Sequence, residues 1–147
     1  MAVTVQQIFD IAIHLMDSQN ESTGSTDTAD TKEYNLRTVS LLNNNLDEAF
    51  LYSDNYREAV KTGRRPICPK VTSMADEVQL DDAICYGPLP NLLAGLLLLE
   101  EDPSRANFFM QRYAELLKKL RDSLPAVEST VENLYGGIEH GEFGAWR

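Results

Sequence analysis

The most informative segment of the chain comprises residues 80–121, which read LDDAICYGPLPNLLAGLLLLEEDPSRANFFMQRYAELLKKLR. Pro88 and Pro90 predict a kink or turn over residues 87–90, because a proline inside a helix removes a hydrogen bond and clashes with the preceding turn. Residues 90–99 are then predicted to form a helix that is apolar on every side. Such a helix belongs at the centre of a structure, so we expect this kinked segment to supply the core helix.

A long amphipathic helix is predicted directly after the core helix. Asp102 is suited to cap it, and Pro103 is suited to its first position, where a missing N–H costs nothing. Apolar residues then recur at spacings of three and four over four turns. They are Ala106, Phe109, Met110, Tyr113, Leu116, Leu117 and Leu120. We expect these two helices to form the core pair.

Two earlier segments also show helical periodicity. Thr4 and Gln7 match a capping box before an apolar stripe that runs to Met16, and this helix is expected to end near Ser18. Its stripe is Val5, Ile8, Phe9, Ala12, Leu15 and Met16, with Ile11 and Ile13 off the stripe. The second helix is expected to begin at Asp30 or Thr31, with a stripe of Val39, Leu42, Leu46, Ala49 and Phe50.

The overall prediction is an all-α, four-helix bundle-like single domain with a kinked core helix and an extended C-terminal tail. The helical domain comprises residues 1–124, and within it the polar residues 17–30 are expected to form a flexible loop. Ordering of that loop against a partner is the less favoured alternative. Residues 62–82 are broken by glycine and prolines; a short extended run or hairpin over 71–80 is possible, but a sheet is not expected.

Residues 125–147 are expected to form a C-terminal arm that binds a partner. Large apolar residues are spaced there by glycines and acids, as in peptides that dock through anchors. The predicted partner-binding residues of the arm are Tyr135, Ile138, Phe143 and Trp146.

Composition narrows the possible partners. The 147 residues are 43% apolar, which is enough for a core, and 13 basic against 23 acidic residues give a net charge of −10. This acidic balance argues against general nucleic-acid or anionic-membrane binding. The apolar run over residues 92–99 is far shorter than the roughly 20 residues of a membrane span, and no signal peptide is recognisable. We therefore expect a soluble, intracellular protein.

Catalytic and metal-binding patterns are weak, so we expect no enzymatic activity, no metal and no cofactor. His14 and His140 lie at opposite ends of the chain, and Cys68 and Cys85 form no CxxC motif. Seven acids between Asp76 and Asp102 are assigned to helix ends and turns, where acids act as caps.

A basic cluster follows the second predicted helix. It includes Arg57, Arg64 and Arg65. One interpretation is a solvated loop, and the other is an electrostatic contact with an acidic patch on the same or a neighbouring subunit. A nucleic-acid site is the least favoured interpretation, because no aromatic residues are interleaved.

Residues 80–121 and 132–146 together resemble small proteins encoded in the head–tail module of tailed phages and prophages of Gram-positive bacteria. The resemblance rests on Asp81-Asp82, Leu89-Pro90, the residues from Glu100 to Pro103, and the later series Phe109, Tyr113 and Leu116. It implies all-helical, non-enzymatic virion components. Several such proteins act as connector or adaptor subunits that assemble as rings below the portal and extend an arm over a neighbour.

The leading hypothesis is therefore a head–tail connector subunit, first in the host cytoplasm and then in the virion. It would form a homo-oligomeric ring and contact the portal or other head–tail proteins, with no membrane and no sequence-specific nucleic acid as partner. One alternative is a magnesium-dependent nucleotide pyrophosphohydrolase of the all-α MazG-like kind, with acids on facing helices. The other is a monomeric acidic adaptor that binds a host protein.

Overall fold

The computed structural model describes residues 2–54, 56, 63–65 and 67–123, and this part of the chain is mostly helical. Its helices are α1 (Val5–Leu15), α2 (Lys32–Phe50), α3 (Asp82–Tyr86), α4 (Pro88–Leu98) and α5 (Pro103–Asp122). Two short strands, β1 (Val3–Thr4) and β2 (Glu77–Val78), form a small sheet. The helical content agrees with the all-α expectation. The predicted arm lies outside the described residues.

The prediction of a core helix is confirmed in α4. Nine of its eleven residues are buried, and it packs against α1, α2, α3 and most extensively α5. The expected break is also present, because Gly87 separates α3 from α4. The helix begins at Pro88 rather than Pro90. Both prolines lie within the first turn, where backbone N–H groups have no partner inside the helix, so neither proline interrupts α4.

Gly95 allows α4 and α5 to approach closely. A Cβ atom on this residue would lie 2.9 Å from Met110 Sδ and 3.2 Å from the Ala106 backbone oxygen. Across this contact α5 buries Ala106, Phe109, Tyr113 and Leu117. The predicted cap of α5 is confirmed, since Asp102 Oδ1 accepts the backbone N–H of Arg105 at 3.2 Å.

The capping box of α1 is also confirmed. Thr4 Oγ1 accepts the Gln7 N–H, and Gln7 Oε1 accepts the Thr4 N–H at 2.9 Å. The expected end near Ser18 is wrong, since the helix ends at Leu15 and the left-handed conformation of Asp17 (φ 56°) turns the chain away. Five of the six residues of its predicted stripe are buried; the exceptions to the prediction are Leu15, which is exposed, and Ile13, which is buried in addition.

The expectation that no sheet forms is wrong. β1 and β2 pair antiparallel, with Val3 opposite Val78 and Thr4 opposite Glu77. The pairing continues into the start of α1, where the Val5 N–H donates to the Asp76 oxygen at 3.0 Å and the Gln6 N–H to the Met74 oxygen at 2.8 Å. The first N–H groups of a helix have no partner within it. Residues 74–78 supply partners for them, which places this segment beside the N-terminus of α1.

Residues 17–30 follow a defined path between α1 and α2. Thr26 donates its hydroxyl to Asp10 Oδ1 at 2.7 Å. The buried Thr31 donates its own hydroxyl to the Thr26 backbone oxygen at 2.7 Å rather than capping α2. The flexibility of this loop stays a prediction. None of the helices in the described part of the chain is long and apolar enough to cross a membrane.

A bulky side chain at position 95 is expected to destabilise the domain. The change Gly95→Leu forces side-chain atoms into the contact with Met110 and the Ala106 backbone, at a cost of about 1–3 kcal/mol. The free energy of unfolding in urea measures this cost. The matched control is Ala114→Leu on the exposed side of α5, which should stay within about 0.5 kcal/mol of the parent chain. Equal effects of the two changes would contradict the close approach at Gly95.

Asp76 is expected to make stability depend on pH in the acid range. Hydrogen bonds from the Thr72 hydroxyl, from the Thr72 and Ser73 backbone N–H groups and from the Ser73 hydroxyl lower the pKa of Asp76 to about 2. A lowered pKa stabilises the fold above the ordinary value of 3.8, and this stabilisation is lost as the pH falls through about 2.

The change Asp76→Asn should therefore lower the melting temperature at neutral pH and flatten its decline between about pH 4 and pH 2. Circular dichroism melting across that range provides the measurement. The change Glu77→Gln, at the next and exposed position, is the control and should melt like the parent chain at neutral pH. If the melting temperature of Asp76→Asn declined between about pH 4 and pH 2 as steeply as that of the parent chain, Asp76 would not contribute to the pH dependence of stability.

Candidate protein-interaction surface

Two of the predicted partner-binding residues lie in the described part of the chain. Arg64 and Arg65 are both exposed, and Arg65 lines a cleft. The other predicted residues lie outside the described residues: Arg57, Tyr135, Ile138, Phe143 and Trp146. The structure thus places part of the basic cluster at a concave surface, and the predicted arm residues stay predictions.

The cleft lies between the C-terminal end of α2 and the segment that contains Arg65 and Ile67. Its volume is about 440 Å³, and it is lined by Asp47, Glu48, Leu51, Tyr56, Arg65 and Ile67. We call it the α2 cleft. Ile67 is 68% exposed and Leu51 is 52% exposed, so two large aliphatic side chains of one concave surface face solvent. Contiguous exposed apolar surface of this kind is typical of interaction sites.

Tyr56 connects the cleft to the core. Its ring meets that of Phe50, a buried residue of α2, edge to face with the centroids 6.4 Å apart. Aromatic pairs in this geometry are favourable beyond the area that they bury. One wall of the α2 cleft is therefore held against the core rather than standing free in solvent.

The opposite wall is attached to α2 through side-chain hydrogen bonds to its backbone. Asn43 Nδ2 donates to the Val71 oxygen at 2.7 Å, and the Val71 N–H donates to Asn43 Oδ1 at 2.9 Å. One amide side chain thus satisfies both backbone groups of Val71, a buried residue. The run Asn43–Asn45 is a polar patch of poor helix formers in the sequence. Asn43 has a structural function that outweighs this low propensity.

Asp47 forms a second attachment. Its Oδ1 accepts the Cys68 N–H at 3.0 Å and lies 2.7 Å from Lys70 Nζ. The hydrogen bond from Lys70 is the main reason that the pKa of Asp47 lies below its ordinary value. Both partners of this ion pair are partly exposed, so its main effect is to orient the segment rather than to stabilise the fold.

In the part of the chain that the structure describes, Arg65 is the basic residue that lines the cleft, and Arg64 precedes it in the chain. Among the described residues, neither Arg64 nor Arg65 has a carboxylate within ion-pair distance. Glu48 lines the same cleft, and Asp47 is engaged with Lys70. The Arg65 guanidinium beside exposed aliphatic side chains suits a segment that carries both a carboxylate and large apolar residues.

A second cleft of about 490 Å³ lies between α1, the loop and α2. Leu36, which is 82% exposed, is its large aliphatic residue, and Phe9 forms part of its floor. The remaining lining residues are polar: Gln6, Thr26, Asp27, Thr31, Lys32 and Asn35. No residue predicted to bind a partner lies there, so we treat the α2 cleft as the candidate site.

Four of the seven acids considered for a hydrolase accept hydrogen bonds in the described part of the chain, and Asp76 is one of them. Asp102 caps α5, Asp81 Oδ2 accepts the Asp54 N–H at 2.8 Å, and Glu101 accepts the hydroxyl of Tyr34. Burial and then the bond to Glu101 raise the pKa of Tyr34 to about 12. Within the described residues, no group of three or more His, Cys, Asp and Glu side chains converges as metal ligands would.

Both cysteines are buried, as expected for Cys85, which was predicted to be a small core residue. Burial, followed by the nearby Asp82 and Asp81, raises the pKa of the Cys85 thiol to about 12. Burial also raises the pKa of Cys68. A thiol must ionise to act as a nucleophile or metal ligand, so these positions disfavour both roles at neutral pH.

Sequence reasoning missed the two aliphatic residues of the α2 cleft. Leu51 comes directly after the predicted stripe of α2, and Ile67 stands between prolines in the basic segment. A single large apolar residue within a charged, proline-containing segment is the signal that could have drawn attention to Ile67. Its meeting with Leu51 depends on the fold.

The attachment of the cleft wall can be tested at Asn43. The change Asn43→Ala leaves the buried backbone groups of Val71 unpaired, which should lower the free energy of unfolding by about 1–3 kcal/mol. Asn45→Ala is the matched control, because Asn45 bonds only to the Leu41 oxygen of its own helix. Urea unfolding measures the effect of both changes. Hydrogen exchange of the Val71 backbone N–H should accelerate in Asn43→Ala and not in Asn45→Ala. Equal effects would show that Asn43 does not hold the wall.

No protein-family profile, curated protein sequence or solved structure matches this chain.

Proposed function

We propose that this protein is a structural subunit of a phage or prophage virion, most specifically a head–tail connector or adaptor. It acts by binding copies of itself and the portal or other head–tail proteins. The observation that carries the proposal is the α2 cleft, in which exposed Leu51 and Ile67 stand beside exposed Arg65. The resemblance of residues 80–121 and 132–146 to head–tail module proteins supplies the virion context.

The charge distribution supports binding to a protein segment rather than to nucleic acid. The chain has a net charge of −10, so its surface repels phosphate backbones. Arg65 at the α2 cleft, with the exposed Arg64 before it, favours an acidic partner at that surface. An acidic subunit also suits a channel through which DNA must move without adhering.

In this proposal the four long helices form a bundle-like platform, and residues 125–147 form the arm. A cleft on one side of a subunit and an arm elsewhere are two different surfaces. Contacts between different surfaces of identical subunits are heterologous, and they generate rings when the rotation closes. This arrangement fits a ring below a portal.

The ionisable groups described above favour a structural role over hydrolysis. Asp76, Asp81, Glu101 and Asp102 accept hydrogen bonds that hold turns, helix ends and neighbouring elements together. A catalytic metal site needs acids that converge and keep open coordination positions. The proposal therefore assigns no catalytic residue, metal or cofactor.

The proposal predicts assembly that depends on the arm. The full chain, alone or mixed with the portal protein of the proposed virion, should form complexes that contain several copies, as measured by size-exclusion chromatography with light scattering. Deletion of residues 136–147 should leave the domain folded and abolish these complexes. The paired change Phe143→Ala and Trp146→Ala should act in the same direction, because apolar anchors dominate such contacts.

The change His140→Ala within the same arm is the matched control and should leave assembly unchanged. Two results would contradict the connector proposal. One is a full chain that stays monomeric in the presence of that portal protein. The other is a truncated chain that assembles as the full chain does.

A further inference from the structure

We propose that, in the isolated chain, residues 124–147 bind in the α2 cleft of the same molecule. Their large apolar side chains pack on Leu51 and Ile67, and their carboxylates face Arg64 and Arg65. This intramolecular contact goes beyond assembly and does not depend on the virion context. It identifies the α2 cleft as the receptor for the chain's own C-terminal segment.

The position where the described part of the chain ends favours this occupant. Ser123, the residue after α5, shares a small cavity with Tyr52 and Asp54. Two residues earlier, the Arg121 guanidinium lies 6.0 Å from the centroid of the Tyr52 ring. Tyr52 is adjacent in the chain to Leu51, which lines the cleft. The C-terminal segment therefore starts beside the end of the helix that forms its proposed binding site.

The length of the segment is sufficient. Twenty-four residues follow Ser123, since 147 − 123 = 24. An extended chain spans about 3.3 Å per residue, so the 19 residues from Leu124 to Glu142 reach up to roughly 60 Å. A tether of this length gives an effective concentration on the order of millimolar. Binding to the chain's own cleft is then favoured over binding to another copy in dilute solution.

Charge, together with exposed apolar residues, favours this cleft as the binding site of the segment. Residues 124–147 contain four glutamates and one arginine, which gives 1 − 4 = −3. Glu139 and Glu142 stand beside the apolar anchors Ile138 and Phe143. The rest of the chain has a net charge of −10 − (−3) = −7, so it repels a segment with this charge except where basic residues cluster. Among the described residues, basic side chains cluster at Arg64 and Arg65 and again at Lys118, Lys119 and Arg121, and the first of these clusters adjoins the exposed Leu51 and Ile67 of the α2 cleft.

The size and lining of the cleft also suit the segment. Its volume of about 440 Å³ is within the roughly 300–1,000 Å³ typical of small binding pockets. A space of this size accepts one or two aromatic side chains rather than a helix. The glycines at positions 136, 137, 141 and 144 let a short chain turn so that neighbouring anchors reach one concave surface. Occupation of the cleft would cover Leu51 and Ile67 and limit self-association through them.

Trp146 is the single tryptophan of the chain, so its fluorescence reports on the segment alone. In the full chain, its emission should lie at shorter wavelength, and its quenching by acrylamide should be weaker, than in the urea-unfolded chain. The changes Leu51→Asp and Ile67→Asp should each shift the emission to longer wavelength and remove the protection from quenching. The domain should keep its melting curve, because both side chains are exposed in the described part.

Leu36→Asp is the matched control, since Leu36 is more exposed still and lies at the other cleft. It should leave Trp146 emission unchanged. Arg65→Glu should weaken the protection of Trp146 from quenching and make that protection independent of salt concentration. If Leu51→Asp or Ile67→Asp fails to fold, Arg65→Glu takes its place in the test. Emission and quenching should stay constant over a roughly hundredfold dilution, because an intramolecular contact is independent of concentration.

Three results would overturn the inference. The first is a Trp146 signal in the full chain equal to that of the unfolded chain. The second is protection that survives Leu51→Asp, Ile67→Asp and Arg65→Glu. The third is protection that disappears on dilution, which would assign the contact to a second copy. The third result would overturn this inference and still agree with the connector proposal, whereas a chain that keeps its Trp146 protection and never assembles would contradict the connector proposal alone.

Discussion

The close approach of α4 and α5 at Gly95 is the contact on which the rest of the structure depends. α4 is apolar on every side, so its stability requires neighbours on every side. α5 covers it most extensively because Gly95 has no side chain to hold Met110 and the Ala106 backbone away. α1, α2 and α3 cover the remaining sides. The α2 cleft is a consequence of this packing. One face of α2 packs in the core, and its last turns contact the later segment that contains Arg65, Ile67 and Cys68.

Features that depend on neighbouring residues were predictable from the sequence. The capping box at Thr4, the cap at Asp102 and the periodic stripes all act within one or two turns, and each is present. Features that depend on distant residues were not. The pairing of Val3 with Val78 and the bonds from the first N–H groups of α1 to residues 74 and 76 join segments about 70 positions apart. A strand of two residues is too short to show periodicity in the sequence. The first backbone N–H groups of α1, which need acceptors outside the helix, give a physical reason for β2 to lie beside them.

The candidate site shows the same division. Charge pattern alone directed attention to Arg64 and Arg65, because a basic cluster in an acidic chain is visible without a fold. The sequence around Leu51 and Ile67 shows no pattern that indicates a binding site. The two side chains line one cleft because Asn43 and Asp47 attach the later segment to α2. The low helix propensity of asparagine made Asn43 an unfavourable residue within a predicted helix. Its amide matches the two backbone groups of Val71, a non-local benefit that intrinsic propensity does not include.

The position of Arg65 beside exposed aliphatic residues, in a chain that is acidic overall, constrains where an acidic segment can bind. Most of the surface repels such a segment at short range, and salt weakens this repulsion beyond roughly 10 Å, so selection acts at contact rather than at a distance. Charge alone would give a loose, salt-sensitive association of low specificity. Exposed aliphatic side chains beside the arginines add a non-directional attraction that salt does not weaken. The two contributions coincide in the α2 cleft, next to the end of α5, and their coincidence gives that surface both affinity and selectivity for a segment that carries anchors and carboxylates together.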